Sequence, residues 1–199
     1  MNRTRILALL APILVLVSAC GINSIPTAEE NAKAKWANVQ NNYQRRADLI
    51  PNLVASVQGA AAQERNVLRE VTEARASATR ITMTPDQLRD PEAMRAFSEA
   101  QGRLSSAIIP LQRMQEAYPE LRSNENFLTL QSQLEGTENR ITIARTDYNG
   151  AVQAYNTRIR TFPDVIGAKI FYGAEPMVPF AATTANAEEA PKVDFGNGQ

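Results

Sequence analysis

One cysteine, Cys20, and no histidine set the limits of the chemistry open to this chain of 199 residues. Histidine is the commonest metal ligand and the usual general base near neutral pH. Its absence excludes Ser-His and Cys-His dyads and every histidine-based metal motif. A single cysteine permits no intrachain disulfide and no CxxC or four-cysteine site. The polar residues whose spacing could do something fall into a few groups. Arg45, Arg46 and Asp48 cluster before Pro51, where they could receive a partner helix or an acidic group. Arg46 also falls on an apolar heptad stripe, so the structural reading has it laying its stem along that stripe and pairing with a carboxylate on another helix, with Glu138 a suitable partner. Glu138 and Arg145, seven residues apart, suit an interhelical ion-pair network. A carboxylate metal site needs several converging oxygens, and Arg145 would repel a cation. Asn149 and Asn156 follow Tyr148 and Tyr155 at the same seven-residue interval; they could line a ligand groove or fix helix register at a bundle edge. A hydrolase would have to draw on Glu64, Glu135 and Glu138, without a histidine or a recognised motif. No catalytic, metal-ligating or cofactor-binding set is expected.

Cys20 could serve as a redox or metal thiol, but one thiol without a partner favours acylation. Arg3 and Arg5 precede an apolar run from Ile6 to Val17, interrupted by Pro12 and followed by Ser18-Ala19-Cys20-Gly21. A basic start, a short apolar segment and small residues before a cut describe a secretory signal peptide. The run falls short of the roughly 20 apolar residues a spanning helix needs. Val17-Ser18-Ala19-Cys20 is similar to a bacterial lipobox. That likeness implies cleavage before Cys20, a diacylglycerol on its sulfur and an acyl chain such as palmitate on its new amino group, since stable anchoring takes more than one chain. Gly21 in place of Asp implies release to the outer membrane, facing the periplasm, in a Gram-negative cell. A plain cleaved signal and an uncleaved N-terminal anchor are the alternatives.

The elements that would carry these residues are helices. Trp36, Tyr43, Ile50 and Val57 recur every seven residues, and Val39, Leu53, Ala60 and Val67 supply a second row; Arg46 and Glu64 alone spoil the stripe. Steps of three and four place both rows on one helix face, which predicts a first helix over 29–78. Pro51 removes a donor to the Ala47 carbonyl, and the unbroken register favours a kink there over a fresh start. A second helix is expected over 91–117, capped by Asp90 with Pro91 first and kinked at Pro110. The third stripe runs through Phe127, Leu134, Ile141, Tyr148, Tyr155 and Phe162, started by Ser123 or Asn124 and ended by Pro163. The expected fold is all-α: an antiparallel bundle of three long helices with coiled-coil-like crossings. Its domain organisation reads as signal peptide 1–19, tether 20–30, helical domain 31–173 and flexible tail 174–199. Pro, Gly, Asn, Ala and Glu argue for little fixed structure past about residue 182.

The run from Trp36 to Val54, with Asn38, Asn41, Tyr43, Arg46, Asp48, Pro51 and Asn52 in order, strongly resembles the signature of the LemA family of bacterial envelope proteins. Val57-Gln58-Gly59, Tyr118-Pro119-Glu120-Leu121, Leu134-Glu135-Gly136-Thr137-Glu138, Tyr148-Asn149, Tyr155-Asn156 and Phe162-Pro163 extend the match over about 31–173. The resemblance implies a membrane-anchored antiparallel helical bundle without established catalysis, linked to envelope functions beside other membrane proteins. The chain departs from the family pattern at Gln58, Ala60, Gln63 and Pro110, and many members carry a transmembrane anchor instead of a lipobox.

Lys+Arg and Asp+Glu both number 21, so the net charge is zero, which argues against a nucleic-acid partner. The expected role is non-enzymatic: a lipid-anchored protein that binds or scaffolds other envelope proteins through its bundle surface. The alternative is a self-associating structural lipoprotein, a homo-oligomer that shapes the membrane.

Overall fold

In a computed structural model, the structure describes residues 23–181. The signal peptide 1–19, Cys20 and residues 182–199 lie outside the described residues. Helix α1 spans Ser24–Gln58 and α2 Arg65–Arg80; a 3-10 turn at Pro85–Arg89 leads to α3, Pro91–Ala117. A short α4, Pro119–Arg122, precedes α5, Glu125–Arg158. The chain then makes α6, Asp164–Gly167, and a π turn over Ala168–Tyr172. No strand occurs among the described residues.

The architecture is all-α, and its spine is the antiparallel pair α1 and α5. At 35 and 34 residues each is roughly 50 Å long. The first stripe faces the core: Trp36, Val39, Tyr43, Arg46, Ile50, Leu53 and Val57 are all buried. Phe127, Leu134, Ile141, Tyr148 and Tyr155 do the same on α5. Caps fix the starts. The Asp90 carboxylate accepts from the Glu92 amide and Asn124 Oδ1 from the Phe127 amide, each satisfying a donor that has no partner within its own helix.

Several boundaries differ from the sequence expectation. The single helix over 29–78 is two helices, interrupted at Gly59–Glu64, and α2 folds back beside the second half of α1. Pro51 within α1 and Pro110 within α3 are no such difference: as the unbroken stripes imply, the chain stays helical on both sides of each. The Ala47 carbonyl, which Pro51 cannot serve, accepts from Arg75 Nε on α2 at 2.7 Å. A missing helical bond thus becomes the contact that ties α2 to α1. The tether is also shorter than 20–30, because Ser24 already opens α1 and Ile25 is buried. Phe162, read as the last core position of the third stripe, is 81% exposed, since α5 ends at Arg158.

The core has two halves. In one, α2 covers α1, α3 and the start of α5, burying Leu53, Val71, Leu104, Leu111 and Phe127. In the other, where α2 does not reach, residues 174–181 run back along α5. Met177 and Phe180 are buried there against Trp36, Tyr43, Phe97 and Tyr148. The tail assigned to 174–199 therefore begins with an ordered strap. Composition pointed away from this because Pro176 and Pro179 are common in disordered chain, yet a burial site for two large apolar side chains offsets the entropy of ordering.

Candidate functional site

The middle of the bundle, between α3 and α5, is where the polar residues meet. The heptad register of α1 directs Arg46 inward, and it is 1% exposed. Its guanidinium donates to Glu138 Oε1 at 2.6 Å, Ser105 Oγ at 2.7 Å, Gln101 Oε1 at 2.7 Å and the Gln101 carbonyl at 3.2 Å. It also lies 5.0 Å from the Tyr43 ring centroid. The planar fork of arginine suits this role, holding acceptors on α3 and α5 at once from α1. Gln101 passes the network on, donating to the Ala78 carbonyl at the end of α2. One buried cation therefore cross-braces four helices. Glu138 keeps 45% of its side chain exposed, so the ion pair has one dry end and one wet end.

Above this brace α2, α3 and α5 part to leave an open groove of about 890 Å³, lined by Arg46, Glu73, Glu99, Ser106, Glu138 and Arg145 among others. Arg145 does not join the Arg46–Glu138 pair. It stacks over the Phe180 ring at 4.1 Å and reaches the Ala181 carbonyl at 3.5 Å, so it caps the strap where the groove begins. Arg45 and Asp48 are exposed, so the Arg45–Arg46–Asp48 cluster of the sequence separates into one core residue and two surface ones; Asp48 accepts from Gln44 one turn earlier.

Asn149 and Asn156 fix the register of the strap and not that of a neighbouring helix. Asn156 accepts from the Met177 amide at 2.9 Å and donates to the Met177 carbonyl at 2.8 Å. Asn149 does the same for Phe180, at 2.7 and 3.0 Å. Between them Tyr148 Oη donates to the Val178 carbonyl, and the Val178 amide donates to the Leu88 carbonyl. A heptad on a helix rises about 10.5 Å, and three residues near full extension span about 10 Å. That match lets two asparagines seven apart grip residues three apart. Pro176 and Pro179 carry no N–H, and the amides of Met177, Val178 and Phe180 are all bonded, so no donor from 176 to 180 is orphaned.

Burial holds two tyrosines of this region in their neutral form. Desolvation pushes the Tyr148 phenol well above its ordinary value near 10. It raises Tyr43 as well, against the opposing pull of Arg145 and Arg46. Glu64, Glu135 and Glu138 do not converge. Glu64 accepts from Tyr118 Oη at the far end of the bundle, and Glu135 from Gln131 on its own helix. Among the described residues no group of three or more His, Cys, Asp or Glu side chains is placed to hold a metal, and no helix is long and apolar enough to cross a membrane.

An all-α bundle, cross-braced by one buried arginine and laced along its edge by a strap, is the class of protein defined by this geometry. The chain belongs to the LemA family, whose model matches residues 35–195. Membership places it with membrane-associated envelope proteins. Among curated proteins it is similar to magnetosome protein MamQ 2 of Paramagnetospirillum magneticum, 27% identical over 157 residues, covering 71% of this chain and 58% of the relative. It is likewise similar to magnetosome protein MamQ of Magnetospirillum gryphiswaldense, 27% identical over 174 residues, covering 79% and 63%. The chain thus spans under two thirds of the length of these relatives.

Proposed function

We propose that this protein is a non-enzymatic, lipid-anchored docking protein of the bacterial envelope, moored through Cys20, and that the groove between α2, α3 and α5 receives a segment of another envelope protein. The groove itself supports this reading most. It is open, it mixes apolar wall with Glu70, Glu73, Glu99, Arg103, Glu138 and Arg145, and its floor is the Arg46 brace, which is already bonded before any partner arrives, so little ordering of the floor is needed on binding. The carboxylates that a hydrolase would use lie apart, which favours binding over catalysis. The lipobox-like Val17–Cys20 run supports the anchor, and outer-membrane placement follows for a Gram-negative source.

A photo-crosslinking residue at Ser106 or Thr142, both exposed in the groove, tests the docking role in intact cells. The expected product is a defined adduct with one envelope protein, absent when the probe stands at exposed Arg122, at the far end of the bundle. Adducts that are the same from all three positions would refute the groove as a docking site. Adducts to a second copy of the chain would replace it with self-association.

A further inference from the structure

We propose that the short C-terminal helices at one end of the bundle are a membrane-contact foot, which inserts its side chains into the bilayer interface and stands the rod upright on it. Phe162 is 81% exposed, Ile166 50%, Ile170 70%, Phe171 65% and Tyr172 43%. Exposed apolar residues scattered singly are ordinary, but five large ones within eleven residues form a patch. Ile166 and Ile170 are four apart and share one face. Exposed Arg158, Arg160 and Lys169 surround them. Aromatic and aliphatic side chains rimmed by cations is the composition of a surface that settles at the headgroup boundary of anionic lipid.

The position of this patch identifies its occupant. Ser24 Oγ donates to Asp164 Oδ2 at 2.8 Å, and Arg158 donates to the Ser24 carbonyl at 3.3 Å. The described chain therefore begins at the foot. Only three residues separate Ser24 from Cys20, so a lipid on that sulfur lies within about 14 Å of Ser24 even at full extension. A bilayer holding the lipid is then the surface nearest the patch. This inference rests on the lipid-anchor reading for its geometry. Because the patch caps the end of the bundle, the groove beside Glu138 is carried away from the membrane toward soluble or neighbouring partners.

The test uses the full chain, purified from membranes and reconstituted in phosphatidylethanolamine–phosphatidylglycerol vesicles that contain a spin-labelled quencher lipid. A genetically encoded environment-sensitive fluorophore replaces Ile170 in one sample. In a second it replaces exposed Thr129, which lies roughly 43 Å along α5 from the helix's foot end at Arg158. Emission from position 170 should shift to the blue and be quenched several-fold by the lipid quencher, while position 129 stays in water. Two unquenched probes on a protein whose mass shows acylated Cys20 would overturn the foot and leave the anchor standing. Equal quenching at both positions would overturn the upright rod. Shielding at 170 that grows with protein concentration and ignores the quencher would assign the patch to a second copy and overturn the proposal. Quenching at 170 without an acyl mass would uphold the foot and defeat the anchor.

Discussion

Replacing both Asn149 and Asn156 with alanine should release the strap while the bundle stays folded. Beside the long Arg145–Ala181 contact, six hydrogen bonds fix residues 177–181: two to each asparagine, one from Tyr148 and one to Leu88. At about 1 kcal/mol each they contribute about 6 kcal/mol. Burying Met177 and Phe180 adds about 5 kcal/mol, and ordering five residues costs about 7 kcal/mol. Docking is then favourable by a few kcal/mol, and the four asparagine bonds equal that margin. Asn149→Ala alone should shift the opening equilibrium by about 2 kcal/mol, roughly 30-fold. The double variant should leave the strap largely undocked. Hydrogen exchange at the Val178 amide reads this directly, because its acceptor, the Leu88 carbonyl, is untouched by either substitution. Trp36 fluorescence gives a second reading, since the Phe180 ring sits 6.5 Å from it. Wild-type protection of Val178 in the double variant would refute the reasoning, and so would global unfolding caused by the single variant.

Three further outcomes are expected. Glu138→Ala strands the buried Arg46 charge. Half-exposure of Glu138 lets water replace part of the lost partner, so the loss in urea denaturation should be about 1–2 kcal/mol, below the 3–5 of a fully buried pair, with Glu138→Gln losing less. Arg75→Met unpairs the Ala47 carbonyl and should cost about 1–2 kcal/mol; Pro51→Ala restores a helical donor to that carbonyl, so a double-mutant cycle should show coupling, and additive effects would contradict the assignment. The raised values of Tyr148 and Tyr43 mean that the folded protein holds phenolic protons which the unfolded chain releases near pH 10. Stability should be unaffected below that pH and fall above it by up to about 1.4 kcal/mol per pH unit for each tyrosine. Tyr148→Phe should flatten part of that decline in denaturation curves run between pH 9 and 11.

The two long helices were legible in the sequence because their stripes keep one face apolar over many turns. Arg46 was legible for the same reason, as a charge at a core position that had to find acceptors. The break at Gly59–Glu64 was not. A helix that folds back on its own core buries the same stripe as one that continues, so periodicity cannot tell a hairpin from a rod. Glu64, the second residue to spoil the stripe, marks the break. Continuity of the helix through Pro51 was legible from the unbroken stripe; the group that serves the freed carbonyl was not, because Arg75 lies 28 residues away. The strap went unread because its partners are side chains on a distant helix. The signal was present in the paired Tyr-Asn steps of α5 and in Met177 and Phe180 set three apart between prolines.

The mass of the mature protein purified from membranes tests the mooring most directly. The expected result is an N-terminal peptide that begins at Cys20 and carries diacylglycerol and acyl masses, with a Cys20→Ser variant retaining its first 19 residues. A mature chain with an unmodified Cys20, cleaved or not, would contradict the lipid anchor.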